Sequence, residues 1–280
     1  YKSGVKICKN NGLIFSSGFE CEISSQIPIR AGTSSSSAIN VSWIHFLSKM
    51  ADNPKKWNQQ KIGELTYQSE VKEFTEPGGM MDQYATAMGH LIYLQSEPGI
   101  SIQLLKPNLG SFVLGDSNEP KDTIDVLKRC RDSQQKIFQK LKSKNPKLNI
   151  HNCDKNLDLS DLKTNEIELY NGMIQNRDIL KRVLPELEKD EPNHKLIGEL
   201  LSEHHTILRD VLQVSTPKIE SMLDAAMDAG ALGGKINGSG GGGCMFAYAP
   251  NEPEKVAEAV KKVSGYTHII HSDAGTEILI

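Results

Sequence analysis

Ile27-Pro28-Ile29-Arg30-Ala31-Gly32-Thr33-Ser34-Ser35-Ser36-Ser37-Ala38 is followed at once by Ile39, Trp43, Phe46, Leu47 and Met50 at helical spacing. The periodicity predicts a helix with one apolar face, opening on a serine run rich in N-cap candidates. Serines and a glycine ahead of a helix turn several backbone N–H groups in one direction, and the helix dipole adds partial positive charge there. Together they make an anion site suited to phosphates. Serine hydroxyls are also oxygen donors of the kind Mg²⁺ takes. Read alone, the run serves equally well as a flexible loop with ordinary capping. It is not a Walker A loop, since no G-x-x-x-x-G-K-[ST] occurs, and it is not a Rossmann fingerprint.

Working outward, Phe19-Glu20-Cys21-Glu22-Ile23 alternates apolar and polar and predicts a half-buried strand. Downstream, a second helix is expected from about Gln59 to Glu73, stopped by Glu76-Pro77-Gly78-Gly79. His90–Leu94 and Ile102–Leu105 predict a strand pair around Glu97-Pro98-Gly99, and Ser111–Gly115 another short strand. From Lys121 the chain turns charged and helical, over Lys121–Lys144, Lys163–Glu188 and Asn193–Val214, with a polar connector at Asn145–Asp158. Pro217 suits the first turn of a further helix that ends at Gly230. A strand at Cys244–Ala249, a helix at Glu252–Lys262 and strands at His268–His271 and Glu277–Ile280 complete the pattern. The reading is a mixed α+β chain with a boundary near 106–110, giving domains 1–108 and 109–280.

A second loop, Lys235-Ile236-Asn237-Gly238-Ser239-Gly240-Gly241-Gly242-Gly243-Cys244, is almost all glycine at its centre. Such a loop loses much chain entropy on ordering, so it serves close backbone approach or positive φ. Strand-like residues on both sides argue against a linker. Asp82, in Gly-Gly-Met-Met-Asp-Gln, is an acid among apolar neighbours after a tight turn. It reads either as a partly buried functional carboxylate or as an N-cap of a short helix. Glu70, on a predicted helix, reads by itself as a solvated charge.

Composition sets the outer limits. The 280 residues are 38% hydrophobic and carry a net charge of -3, with 32 basic against 35 acidic side chains. No basic excess points to a nucleic-acid partner, and no apolar run of about 18 residues predicts a membrane span. The first residues have no apolar signal core. The five cysteines, Cys8, Cys21, Cys130, Cys153 and Cys244, are scattered and contain no C-x-x-C, so free thiols in a reducing, cytoplasmic setting are expected rather than zinc.

In combination these segments resemble the GHMP kinase family of galactokinase, homoserine, mevalonate and phosphomevalonate kinases. Pro28–Ala38 resembles its phosphate-binding motif P-x-G-x-G-L-S-S-S-A, with Arg30, Thr33 and Ser37 standing where the motif has Gly, Leu and Ala. Asn237–Cys244 resembles the galactokinase-type T-G-G-G-x-G-G-C, with Ser239 in place of a glycine. Gly79-Met80-Met81-Asp82-Gln83 resembles G-I-M-D-Q, with Glu70 twelve residues ahead where galactokinases hold magnesium. Glu203–Asp210 and Val214–Pro217 resemble E-S-H-x-S-L-R-D and V-S-x-P. Lys235 and Gly240–Gly243 are also similar to heptose kinases and fucokinases. The family's opening motif, P-G-R-x-N-L-x-G-E-H-x-D, does not occur, and the chain is read as lacking the opening part of such an enzyme.

The resemblance implies a two-domain fold, a ribosomal S5 domain 2-like N-terminal part and an α/β-sandwich, ferredoxin-like C-terminal part. It implies ATP and Mg²⁺ as cofactors and transfer of the γ-phosphoryl to a sugar hydroxyl, galactose first. Gly32, Thr33, Ser34, Ser35, Ser36 and Ser37 would cradle the phosphates, Ser36 and Glu70 would hold Mg²⁺, and Asp82 would act as base. Gly238, Ser239, Gly240 and Gly241 would lie beside the substrate, while His205 and Arg209 are expected to be structural and Cys244 a small buried residue. The expected partners are a small sugar and ATP, with no nucleic acid or membrane, in a monomer or weak homo-oligomer. Two alternatives stay open, another kinase of the family, for heptose or fucose, and a silent sugar- and ATP-binding sensor; a third, a mevalonate-type kinase or decarboxylase, is argued against by the galactokinase-like Met81-Asp82-Gln83.

Overall fold

The computed structural model describes residues 1–29, 32–76, 78–120, 123–154 and 156–278. Arg30, Pro77, the predicted helix start at Lys121 and the last two residues of the predicted strand Glu277–Ile280 lie outside them. The chain divides into two units, one of Tyr1–Ile29, Thr33–Lys106 and Ser272–Ile280, the other of Arg30–Gly32 and Pro107–His271.

The first unit is mainly helical. It opens with α1, Lys2–Asn10, a helix whose interior Gly4 runs against propensity. Its Gly4, Ile7 and Cys8 form one buried stripe, and a Cβ on Gly4 would come within 2.7 Å of the Trp43 ring. Packing therefore makes α1 a helix. The helix α2, Ser35–Met50, buries Val41, Trp43, Ile44 and Leu47. Met50, placed on the apolar face by the sequence pattern, is 45% exposed, because the buried stripe runs through 37, 41, 44 and 48 as well. Next come α3, Gln59–Tyr67, capped by Asn58, and α4, Met81–Met88. The predicted strand pair forms as β1, Leu91–Gln95, against β2, Ser101–Leu105, antiparallel with Leu91 opposite Leu105.

Two expectations here fail. Phe19–Ile23 is not a strand and pairs with none among the described residues; its Phe19 ring instead packs on Phe46 and Trp43. Glu277 and Ile278 are likewise outside any strand. The final segment also belongs to the first unit, not to a domain 109–280. His90 N donates to Asp273 O (2.6 Å) and Thr276 N to Ala87 O (3.0 Å). Gly89 and Gly275 meet backbone to backbone, where a Cβ on Gly89 would lie 2.0 Å from Gly275 N.

The second unit holds β3 (Phe112–Asp116), α5 (Thr123–Lys144), α6 (Thr164–Leu187), α7 (His194–Thr206) and α8 (Pro217–Asp228), followed by β4 (Gly233–Ile236), β5 (Cys244–Tyr248), α9 (Pro253–Ser264) and β6 (Tyr266–Ile270). The sheet order is β4-β5-β3-β6 with every neighbouring pair antiparallel. With α8 and α9 as crossovers this is a β-α-β-β-α-β, ferredoxin-like arrangement. Val113, Met245 and Ala247 alternate onto one face and pack with Ile219, Met222, Val256 and Val260. Helices α5 and α6 build a separate cluster around Ile137, Leu141, Tyr170 and Ile174.

Candidate functional site

Ser34 precedes α2 at φ +54°, and its side chain makes no capping bond. The first rung is Ala38 N to Ser34 O (3.0 Å), so the N–H groups of Ser35, Ser36 and Ser37 lie ahead of the intrahelical ladder. Thr33 Oγ1 donates to Pro28 O (2.7 Å) and ties the loop back on itself. The serine hydroxyls go to a carboxylate. Ser36 Oγ donates to Glu70 Oε1, and Ser37 Oγ to Glu70 Oε2 (2.8 Å).

Glu70 is thus half-buried and bonded, which corrects its reading as a solvated charge. The cause is local. After Tyr67 the helix widens into a π turn, Gln68–Lys72, with Glu73 N donating to Gln68 O (3.0 Å). Turns of this kind shift the helical phase and recur at functional sites. Gln83, in α4 and 4% exposed, adds Nε2 bonds to Glu70 Oε2 (2.8 Å) and Ser37 Oγ (3.2 Å). The sequence contained Gln83 within a quoted motif but offered no sign of this role, because its partners lie 13 and 46 positions away.

Asp82 precedes Gln83 in the first turn of α4, half-buried; Met80, not Asp82, is the N-cap. Its carboxylate has no hydrogen bond or ion pair among the described residues. It stands next in sequence to Gln83, which bonds to Glu70.

Ser36 and Glu70 suit a magnesium ion by chemistry, since both present hard oxygen atoms from adjoining elements. Among the described residues no three His, Cys, Asp or Glu side chains gather to hold a metal unaided. That also fits Mg²⁺, which keeps waters and takes one or two carboxylates together with substrate phosphates.

The glycine loop is built from backbone. Gly238, Gly240, Gly241, Gly242 and Gly243 all have positive φ. Gly241 N donates to Val214 O (2.6 Å), Gly243 N to Glu119 O (3.2 Å), and Ser117 N to Gly243 O (3.0 Å). A Cβ on Gly240 would fall 2.5 Å from Val214 Cβ. Ser239 Oγ is buried with no partner among the described residues. Within the same unit Asn237 Nδ2 donates to Gly32 O (2.9 Å). Cys244 is fully buried, as expected.

His205 secures the strand that enters this loop. Ile236 N donates to His205 Nδ1 (3.3 Å), which leaves the hydrogen on Nε2, facing Glu220 Oε1 (2.9 Å). Ser215 and Arg209 also donate to Glu220. Burial opposes the Glu220 charge, but the bonds from Ser215 and His205 win and hold its carboxyl below the usual range. Neighbouring His204 is held down at about 4 by burial, with Lys235 and His205 adding repulsion.

Known proteins with this organisation can now be compared. The family description "GHMP kinases N terminal domain" matches residues 2–90, and "GHMP kinases C terminal" matches 183–264. The mevalonate kinase of Pyrococcus abyssi is 28% identical over 252 residues, covering 89% of this chain and 64% of that protein. The galactokinase of Clostridium tetani is 25% identical over 270 residues, covering 89% of this chain and 67% of its own length. The chain therefore spans about two thirds of the length of the mevalonate kinases it matches. Lactococcus lactis galactokinase complexed with galactose has the same fold, with a TM-score of 0.72, 20% identity and 98% of this chain covered against 74% of that one. Mevalonate kinases and galactokinases thus stand at nearly the same identity to this chain, 28% and 25%. Two family matches that together take in more than half the sequence, on a fold shared with its solved members, establish that the chain belongs to the GHMP kinase family.

Proposed function

We propose that this protein transfers the γ-phosphoryl of ATP to a hydroxyl of a small molecule. The observation that carries the reading is the cluster of Ser36, Ser37, Glu70 and Gln83 at the first turn of α2, with the unpaired Asp82 carboxylate next in sequence to Gln83. Phosphates would sit against the N–H groups of Ser34–Ser37, favoured by the positive end of the 16-residue helix α2. Ser36 and Glu70 would hold Mg²⁺. When bound, it offsets phosphate charge in a reaction that depends on positioning and electrostatics. Asp82 would take the proton of the attacking hydroxyl. A cleft of about 400 Å³ lies beside the same helix, lined by Ile23, Ile27, Ile39, Trp43 and Phe46. Its apolar and aromatic walls suit the planar base of the nucleotide.

The acceptor we assign first is a sugar, galactose ahead of heptose or fucose. Support comes from Gly79-Met80-Met81-Asp82-Gln83 and from galactokinases among the relatives. Mevalonate is the second reading, favoured by 28% identity to a mevalonate kinase. ADP release with ATP, Mg²⁺ and separate galactose, fucose, heptose phosphate and mevalonate tests both. Turnover with one acceptor should fall about a hundredfold or more in Asp82→Asn. Unchanged turnover in that variant removes Asp82 as the base. Stabilisation by a sugar without any ADP release identifies a sensor instead.

A further inference from the structure

The four-residue cluster has a closed side and an open side. On the closed side, Ser37 Oγ donates to Glu70 Oε2, and Gln83 Nε2 spends one hydrogen on Glu70 Oε2 and the other on Ser37 Oγ. This triangle is complete: Oε2 accepts twice, and both amide hydrogens are placed. The reverse amide orientation would set Gln83 Oε1 against a carboxylate oxygen, so the chemistry fixes the amide. Both residues are at most 4% exposed. On the open side, Glu70 Oε1 accepts, among the described residues, only from the hydroxyl of exposed Ser36. Gln83 Oε1 is meanwhile buried without a donor among the described residues, an acceptor left for a hydrogen that these side chains do not supply.

We infer that Ser37 and Gln83 are positioning residues, which occupy Oε2 of Glu70 and so present Oε1, with Ser36, as the face that takes the divalent cation. The inference rests on the reading of Ser36 and Glu70 as cation ligands. It belongs to this chain in particular, because Ser37 stands where the resembled motif has alanine, which has no hydroxyl to close the triangle. Partners that orient a ligating carboxylate act on affinity as well as geometry, on the order of tenfold or more when removed.

The test is the affinity for Mn²⁺ in the presence of ATP, read by water-proton relaxation enhancement, which separates protein-held cation from cation on free nucleotide. Wild type, Glu70→Gln, Ser37→Ala and Gln83→Leu are compared, each with its melting temperature. The expected result is loss of enhancement in Glu70→Gln and affinity weakened about tenfold in Ser37→Ala and Gln83→Leu, with melting temperatures that do not track the loss. If Glu70→Gln abolishes binding while Ser37→Ala and Gln83→Leu stay within twofold of wild type, the positioning role is wrong and the ligand reading stands. If Glu70→Gln binds like wild type, or wild type shows no enhancement, the ligand reading falls and the inference with it. Should Gln83→Leu not fold, Ser37→Ala decides alone.

Discussion

The serine loop and the glycine loop reach defined shapes by opposite means. At Thr33–Ser37 the order comes from side chains: hydroxyls reach Pro28 O and the Glu70 carboxylate, while the first amides of α2 stay ahead of the helical ladder. At Gly238–Gly243 the order comes from main chain, pinned to Val214, Glu119 and Ser117 with no room for a Cβ at Gly240. A loop held by side chains keeps its backbone donors for a ligand. The glycine loop spends backbone donors on its own shape, Gly241 N on Val214 O and Gly243 N on Glu119 O, and packs too closely at Gly240 for any side chain. Substitutions should therefore damage stability at the glycine loop and ligand binding at the serine loop.

The largest effect on stability is expected from Gly240→Ala. A φ of +80° disfavours any L side chain, and the new methyl would overlap Val214. The urea midpoint should drop by the equivalent of about 3 kcal/mol with little change in m. A loss below about 0.5 kcal/mol would mean that the glycine loop is not held by close packing.

Next comes acid sensitivity beside the same loop. His204 has a native pKa of about 4 against an ordinary 6.5, so the unfolded chain binds the proton first. Stability should fall as pH drops from about 6.5 towards 4, by roughly 3 kcal/mol, and should be level again for this group below that window. His204→Gln should remove that part of the slope in urea titrations at several pH values; an unchanged slope would assign it elsewhere.

At the serine loop the stability effects shrink. Ser37→Ala, buried and twice bonded, should cost about 1 kcal/mol. Ser36→Ala, exposed, should lie within about 0.5 kcal/mol of wild type, yet lose turnover in the ADP-release assay. If Ser36→Ala instead destabilises the chain as Gly240→Ala does, the contrast between the loops collapses.

Legibility in the sequence followed range. Helix α2, the β1–β2 pair and Pro217 at the head of α8 were readable because each depends on residues within one or two turns. The serine run and glycine loop were readable as motifs. Helix α1 was not, since only Trp43 and its neighbours turn a lysine- and glycine-containing stretch into a buried face. Phe19–Ile23 misled because alternation reports a two-faced environment, and Phe19 finds one in aromatic packing without a ladder. The π turns at Gln68–Lys72 and Ile207–Val211 have no propensity signature, yet the first of them carries Glu70 in the serine cluster. Motif spacing singled out Glu70; its bonding to Ser37 and Gln83 needed three separate elements brought together.

The return of Ser272–Thr276 to the first unit reaches beyond the site, to the order of events during synthesis. Domains made on the ribosome ordinarily fold from the N-terminus onward. Here the segment that bridges Gly89, donates to Ala87 O and meets His45 is made after the whole of the second unit. Every residue of the second unit, Arg30–Gly32 and Pro107–His271, precedes that segment along the chain. The α4–β1 junction at Gly89 therefore takes its backbone partners from a stretch of chain that is synthesised only after the second unit.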